Sequence, residues 1–97
     1  MRRKLIAGNW KMNGLKADGL ARIADLAGRA KGGAHADMAV CPPATLLFPA
    51  AEALKGSSIA LGAQDCHAKE SGAHTGDISA PMIKEAGCRY VIVGHSE

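Results

Sequence analysis

Aromatic side chains are nearly absent: the 97 residues hold one Trp, one Tyr and one Phe. A nucleic-acid surface gathers Lys and Arg on one face and interleaves aromatic rings, and with a net charge of only +3 neither feature is visible here. No apolar run approaches the ~20 residues that a membrane-crossing helix needs. The basic opening Met1-Arg2-Arg3-Lys4 resembles the start of a leader peptide, but its apolar stretch ends at Asn9, too short for an h-region. Cysteine is sparse as well. Cys41, Cys66 and Cys88 are odd in number and show no Cys-x-x-Cys spacing, which points to a reduced, cytosolic chain rather than a disulfide scaffold. Neither Gly-x-x-x-x-Gly-Lys nor a strand followed by Gly-x-Gly-x-x-Gly occurs, so there is no nucleotide fingerprint. Gly94-His95-Ser96 lacks the Gly-x-Ser-x-Gly frame of a nucleophile elbow. His67, His74, Cys66 and Cys88 share no recognised metal-ligand spacing, and no metal is expected. The length allows one small domain or part of a larger one.

What is present is a rhythm. Short continuous apolar runs occur at 4–7, 37–41, 58–61 and 89–93. Continuous rather than alternating runs suit strands covered on both faces, as in a parallel sheet flanked by helices. Between them, Leu20, Ile23, Ala27 and Ala30 recur at three and four residues, predicting a helix over 15–31 that Gly32-Gly33 would stop. Leu46, Leu47, Ala50, Ala51 and Leu54 predict a second over 44–55, kinked or shortened by Pro49. Ser79 is placed to cap a third, with Pro81 in its first turn and Gly87 just past its end. The order β-α-β-α-β-α-β means an α/β fold with right-handed crossovers. The polar connection 64–78 breaks the rhythm, because βα loops usually span about 2–6 residues and this one has about 15.

Reactive groups in parallel α/β folds gather past the carboxyl ends of the strands. Those positions hold Asn9 and Lys11, then Cys41-Pro42-Pro43, then Gln64 and Asp65, and finally His95, Ser96 and Glu97. Asn9 and Lys11 are two apart, so an extended chain would point both the same way. Taken singly, each has a plain structural reading: Asn9 as turn chemistry, Lys11 as a solvated charge, His95 as a structural hydrogen-bonder. Spacing alone stops at an α/β protein with a polar rim.

The wording of particular segments goes further. Ala7-Gly8-Asn9-Trp10-Lys11-Met12-Asn13 and Tyr90-Val91-Ile92-Val93-Gly94-His95-Ser96-Glu97 resemble the first and fourth strand ends of the triosephosphate isomerase family. Gly62-Ala63-Gln64-Asp65-Cys66 and His74-Thr75-Gly76-Asp77-Ile78-Ser79 are similar to its third strand and long third loop. The resemblance runs along the whole chain in order.

It implies a (β/α)8 TIM barrel, of which this chain supplies the first four strands and three helices as one domain half. It also implies a cytoplasmic, homodimeric enzyme of glycolysis and gluconeogenesis that interconverts dihydroxyacetone phosphate and D-glyceraldehyde 3-phosphate through an enediolate. Lys11 would set a positive charge beside the phosphate and the enediolate, and Asn9 would orient a substrate oxygen. His95 would be the neutral electrophile. Glu97 would hold the ammonium, with Ser96 and Gln64 in support. Thr75 would sit at the tip of a loop that crosses into the neighbouring subunit, making 64–78 a dimer arm. No metal or organic cofactor is implied. Asp65 stands where the family leads one to expect an amide, adding a negative charge near Lys11.

A complete barrel of this kind needs about 250 residues. The catalytic glutamate base and the phosphate lid are therefore expected from a C-terminal half, without which the segment should be inactive and prone to aggregate. The alternative is a non-catalytic half-barrel module that pairs through the loop around Thr75.

Overall fold

The computed structural model describes residues 4–30 and 36–94. Four parallel strands lie side by side in chain order: β1 (Leu5–Asn9), β2 (Asp37–Cys41), β3 (Ile59–Ala63) and β4 (Tyr90–Val91). Three helices connect them, α1 (Lys16–Arg29), α2 (Leu47–Ala53) and α3 (Ala80–Ala86). Each strand is added next to the one before it, so the sheet grows in one direction as a barrel wall does. A doubly wound sheet would reverse its strand order. This is half of a (β/α)8 barrel.

The register assigns the faces. Val40 pairs with Leu61, and with Ile59 and Ala63 these residues point into the helix layer. There they meet Ile23 of α1, Leu47, Ala50 and Leu54 of the α2 region, and Ile83 and Ala86 of α3. Each large aliphatic side chain so buried contributes about 1.5–3 kcal/mol. The opposite face carries smaller groups, Ala7 beside Ala39 and Ala39 beside Ala60, as the tapering interior of a barrel requires.

Several boundaries move from their expected places. The second helix divides into a 3-10 turn (Ala44–Leu46) followed by α2. Pro49 is the third residue of α2, where its missing N–H belongs to a first turn that has no internal acceptors. Gly87 closes α3 with φ 109°, as expected of a helix-ending glycine. Ser79 occupies the N-cap position with extended backbone, but its hydroxyl makes no capping bond. A serine cap reaches the second or third helical N–H; the second residue, Pro81, has none, and the Ser79 hydroxyl does not bond that of the third, Met82. The glycine stop at Gly32-Gly33 lies outside the described residues.

Coverage is uneven across the sheet. β3 is buried along most of its length and β2 over its last three residues, whereas β1 and β4 are exposed throughout. An edge strand has a neighbour on one side only, and an apolar composition cannot supply the other.

Candidate functional site

Asn9 ends β1 directly opposite Cys41. The Trp10 N–H still donates to the Cys41 carbonyl, at 3.1 Å. Then Lys11 turns left-handed, with φ 57°, the one non-glycine in that region among the described residues. A residue with a Cβ enters this conformation at a cost, so its surroundings must hold it there. Three groups do so. Asn9 Oδ1 accepts the Lys11 N–H at 2.9 Å, Gln64 Nε2 donates to the Lys11 carbonyl at 2.7 Å, and the Asn13 amide donates to the Trp10 carbonyl at 2.9 Å.

Gln64 does more than support. Its Nε2 also donates to the Cys41 carbonyl at 2.9 Å. One carboxamide, one residue beyond β3, thus ties together the carboxyl ends of three strands. The condition for the i, i+2 expectation is not met: the extended chain stops at Trp10, and the Asn9 amide folds onto the Lys11 backbone as a local turn.

Below this rim, the Cys41 side chain is 1% exposed and lies over Gly62. A Cβ on Gly62 would come within 2.7 Å of Cys41 Sγ, so only glycine fits there. Burial pushes the Cys41 thiol above its ordinary value of 9.0. The Cys88 thiol is also pushed up, first by burial and then by Cys41. Both remain protonated and inert at neutral pH, as expected of strand-buried thiols.

Thr75 is exposed within the long loop between β3 and α3. The loop is ordered by its own bonds. The His67 N–H donates to the Ile78 carbonyl at 2.8 Å, His67 bridges Ser79 in parallel, and the Asp77 N–H donates to the His74 carbonyl at 3.0 Å. The His67 and His74 rings stack with centroids 3.9 Å apart, and His67 Nε2 lies 3.8 Å from Asp77 Oδ2. Spacing along the chain hid this grouping, because a bridge and a turn bring the residues together. The local signal was His74-x-x-Asp77 in an overlong loop. Asp65 lines a cavity of about 190 Å³ with Gly76 and Asp77, so it belongs to the base of this loop.

The chain therefore brings together Asn9, Lys11, Gln64 and the Cys41 carbonyl. His95, Ser96 and Glu97 lie outside the described residues. The backbone leading to them leaves β4 at the same rim, where the Ile92 N–H donates to the Ala63 carbonyl at 2.9 Å.

Comparison with known proteins supplies an independent finding. The family model described as triosephosphate isomerase matches residues 4–97. Triosephosphate isomerases of Afipia carboxidovorans and Bradyrhizobium sp. are 60% and 64% identical over 98% of this chain. The chain spans about 38% of the length of these curated relatives. A crystal structure of triosephosphate isomerase from Bartonella henselae superposes with a TM-score of 0.84 at 46% identity, over 98% of this chain and 39% of that one.

Proposed function

We infer the function from one premise: the chain belongs to the triosephosphate isomerase family. The reaction that fits is interconversion of dihydroxyacetone phosphate and D-glyceraldehyde 3-phosphate, in the cytoplasm, in glycolysis and gluconeogenesis. It is carried out by a protein of which these residues form the first half of the barrel. The base that removes the carbon-bound proton and the lid over the phosphate come from the part of the relatives' length that this chain does not span.

The observation that carries this reading is the pinned backbone of Lys11. An ammonium on a turn fixed from both sides by Asn9 and Gln64 needs little reorganisation when charge develops beside it. Preorganisation of that kind is the main way a polar site lowers a barrier that passes through an oxyanion. Lys11 faces the phosphate and the enediolate oxygen. Asn9 uses its Oδ1 on the Lys11 backbone, and its Nδ2 is the donor to a substrate oxygen in this reading. His95 is the neutral electrophile, Glu97 the companion of the ammonium, and Ser96 a supporting group. Residues 64–78 form the homodimer arm, with Thr75 at its tip.

Mixing the chain with a C-terminal half from a relative and assaying aldose–ketose interconversion tests this. Turnover is expected, and Lys11→Ala should lower it at least about 100-fold, the loss typical of removing one charge-stabilising group. Turnover that survives Lys11→Ala overturns the reading. A second reading, a half-barrel assembly module, draws on apolar residues exposed at the sheet edges, Ile6 at 59% and Val93 at 75%. Binding without turnover would favour it.

A further inference from the structure

We propose that the cavity beside Trp10 is the seam where the barrel closes, occupied by the last strand and helix of the full-length polypeptide and read by Trp10, Asp18 and Arg22. The proposal rests on the reading of this chain as the first half of a barrel. The cavity, of about 510 Å³, is lined by Trp10, Asn13 and Gly14 of the turn after β1 and by Asp18, Gly19 and Arg22 of α1. No residue of β2 or α2 lines it.

Its place in the fold follows from the helix. Gly19 and Ile23 are the buried residues of α1, so their side of the helix faces the sheet. At about 100° per residue, Leu20 then falls on one flank and Asp18 and Arg22 on the other. A right-handed crossover puts α2 on the Leu20 flank. Asp18 and Arg22 therefore face outward past β1, whose outer edge has no strand beside it among the described residues.

The side chains on this flank are unmatched. Further along the same helix, Asp25 and Arg29 are four residues apart and pair at 3.0 Å. Asp18 and Arg22 have the same spacing and order, which favours a pair, yet neither makes an ion pair among the described residues. Both line the cavity instead. The half-buried Trp10 ring lies over Gly14 and Gly19, where an added Cβ would come within 3.1 and 3.5 Å of it.

What covers this flank follows from the architecture. The chain spans about 38% of its relatives' length, and its four strands in chain order are half of a closed barrel. A closed barrel has no edge, so its last strand pairs with β1 and the helix that follows lies along α1. Barrel helices run in the same direction. The occupying helix thus offers an apolar side chain to the indole, a basic group to Asp18 and, about one turn later, an acidic group to Arg22. Trp10 directly precedes Lys11, so the contact that closes the barrel also bears on the left-handed turn.

The test labels this chain with 5-fluorotryptophan, which gives a single fluorine signal because the sequence has one Trp. The labelled chain is mixed with an unlabelled C-terminal half from a relative. In the assembled pair the fluorine resonance should scarcely move between H₂O and D₂O, as for an indole out of water. Arg22→Glu should weaken association at least about tenfold. Lys55→Ala, at the end of α2, should leave it within about twofold. Circular dichroism checks that both variants keep their helix content. No association, a fluorine signal that still responds to D₂O in the assembled pair, or equal affinity of Arg22→Glu each overturns the proposal. Turnover with Trp10 still in water rejects the seam and spares the isomerase reading, whereas a covered Trp10 without turnover does the reverse.

Discussion

The two inner strands and the two outer ones are built from similar residues and meet different fates. Val40 and Leu61 are 5% and 3% exposed, whereas Leu5 and Ile6 of β1 are 46% and 59% exposed. Leu-Ile-Ala, Ala-Val-Cys and Ile-Ala-Leu are equivalent as composition. They differ in having neighbours: β2 and β3 each have a strand on either side and the helix layer above. Burial is thus a property of position in the sheet, and apolar content reports only the capacity for it.

The sharpest way to break this contrast is to cut the same kind of side chain in both places. Leu61→Ala should destabilise the protein by about 2–5 kcal/mol, since it leaves a cavity among Val40, Ile83 and their neighbours. Ile6→Ala should cost less than about 1 kcal/mol, because much of that side chain is already in water. Urea unfolding of both variants reads the difference, and equal losses would mean that β1 is covered as well as β3.

The interior face of the inner pair offers the next test. Gly62→Ala should cost about 1–3 kcal/mol by driving a methyl group against Cys41 Sγ. Adding Cys41→Ala should recover part of that loss, a coupling that a double-mutant cycle measures directly. Additive losses would place the strain elsewhere.

A smaller effect separates the regions by pH. The Cys41 thiol lies in β2 with its pKa raised above 9.0 by burial, so the folded state holds a proton that the unfolded state releases sooner. The stability this confers is complete below the ordinary thiol range and is lost as pH rises through the folded value. The decline above pH 9 should not exceed about 1.4 kcal/mol per pH unit for this thiol. Cys41→Ser should flatten it, as read by chemical denaturation across alkaline pH.

The smallest expected change is a gain. Ser79→Ala removes a buried hydroxyl without a partner, and should leave stability unchanged or raise it by up to about 1 kcal/mol. A loss above 1 kcal/mol would mean that the hydroxyl is satisfied in solution.

Much of the fold could be read from the chain. The strand starting at Asp37 and the helix closed by Gly87 fall where their patterns place them, because each depends on neighbours a few residues away. Side-chain bonding and coverage are less legible: Ser79 takes the N-cap place without making the cap bond, and the exposure of β1 follows from four strands leaving an open edge. At the site, Asn9, Lys11 and Gln64 were each named from strand-end position and family resemblance. That Gln64 is the tie between three strands depends on contacts spanning 53 and 23 residues, which no local pattern encodes.

The amino-acid order by itself determined the alternation of strand and helix, the positions that close each helix, and which polar residues follow each strand. Those are consequences of backbone preference and of hydrophobic period, which act over a few residues. Only the tertiary structure decided which strands are covered, why a lysine is held left-handed, and that two histidines and an aspartate meet beside an unpartnered serine. Each of these depends on groups far apart in the chain arriving within a few ångströms of one another, and only the assembled sheet sets those distances.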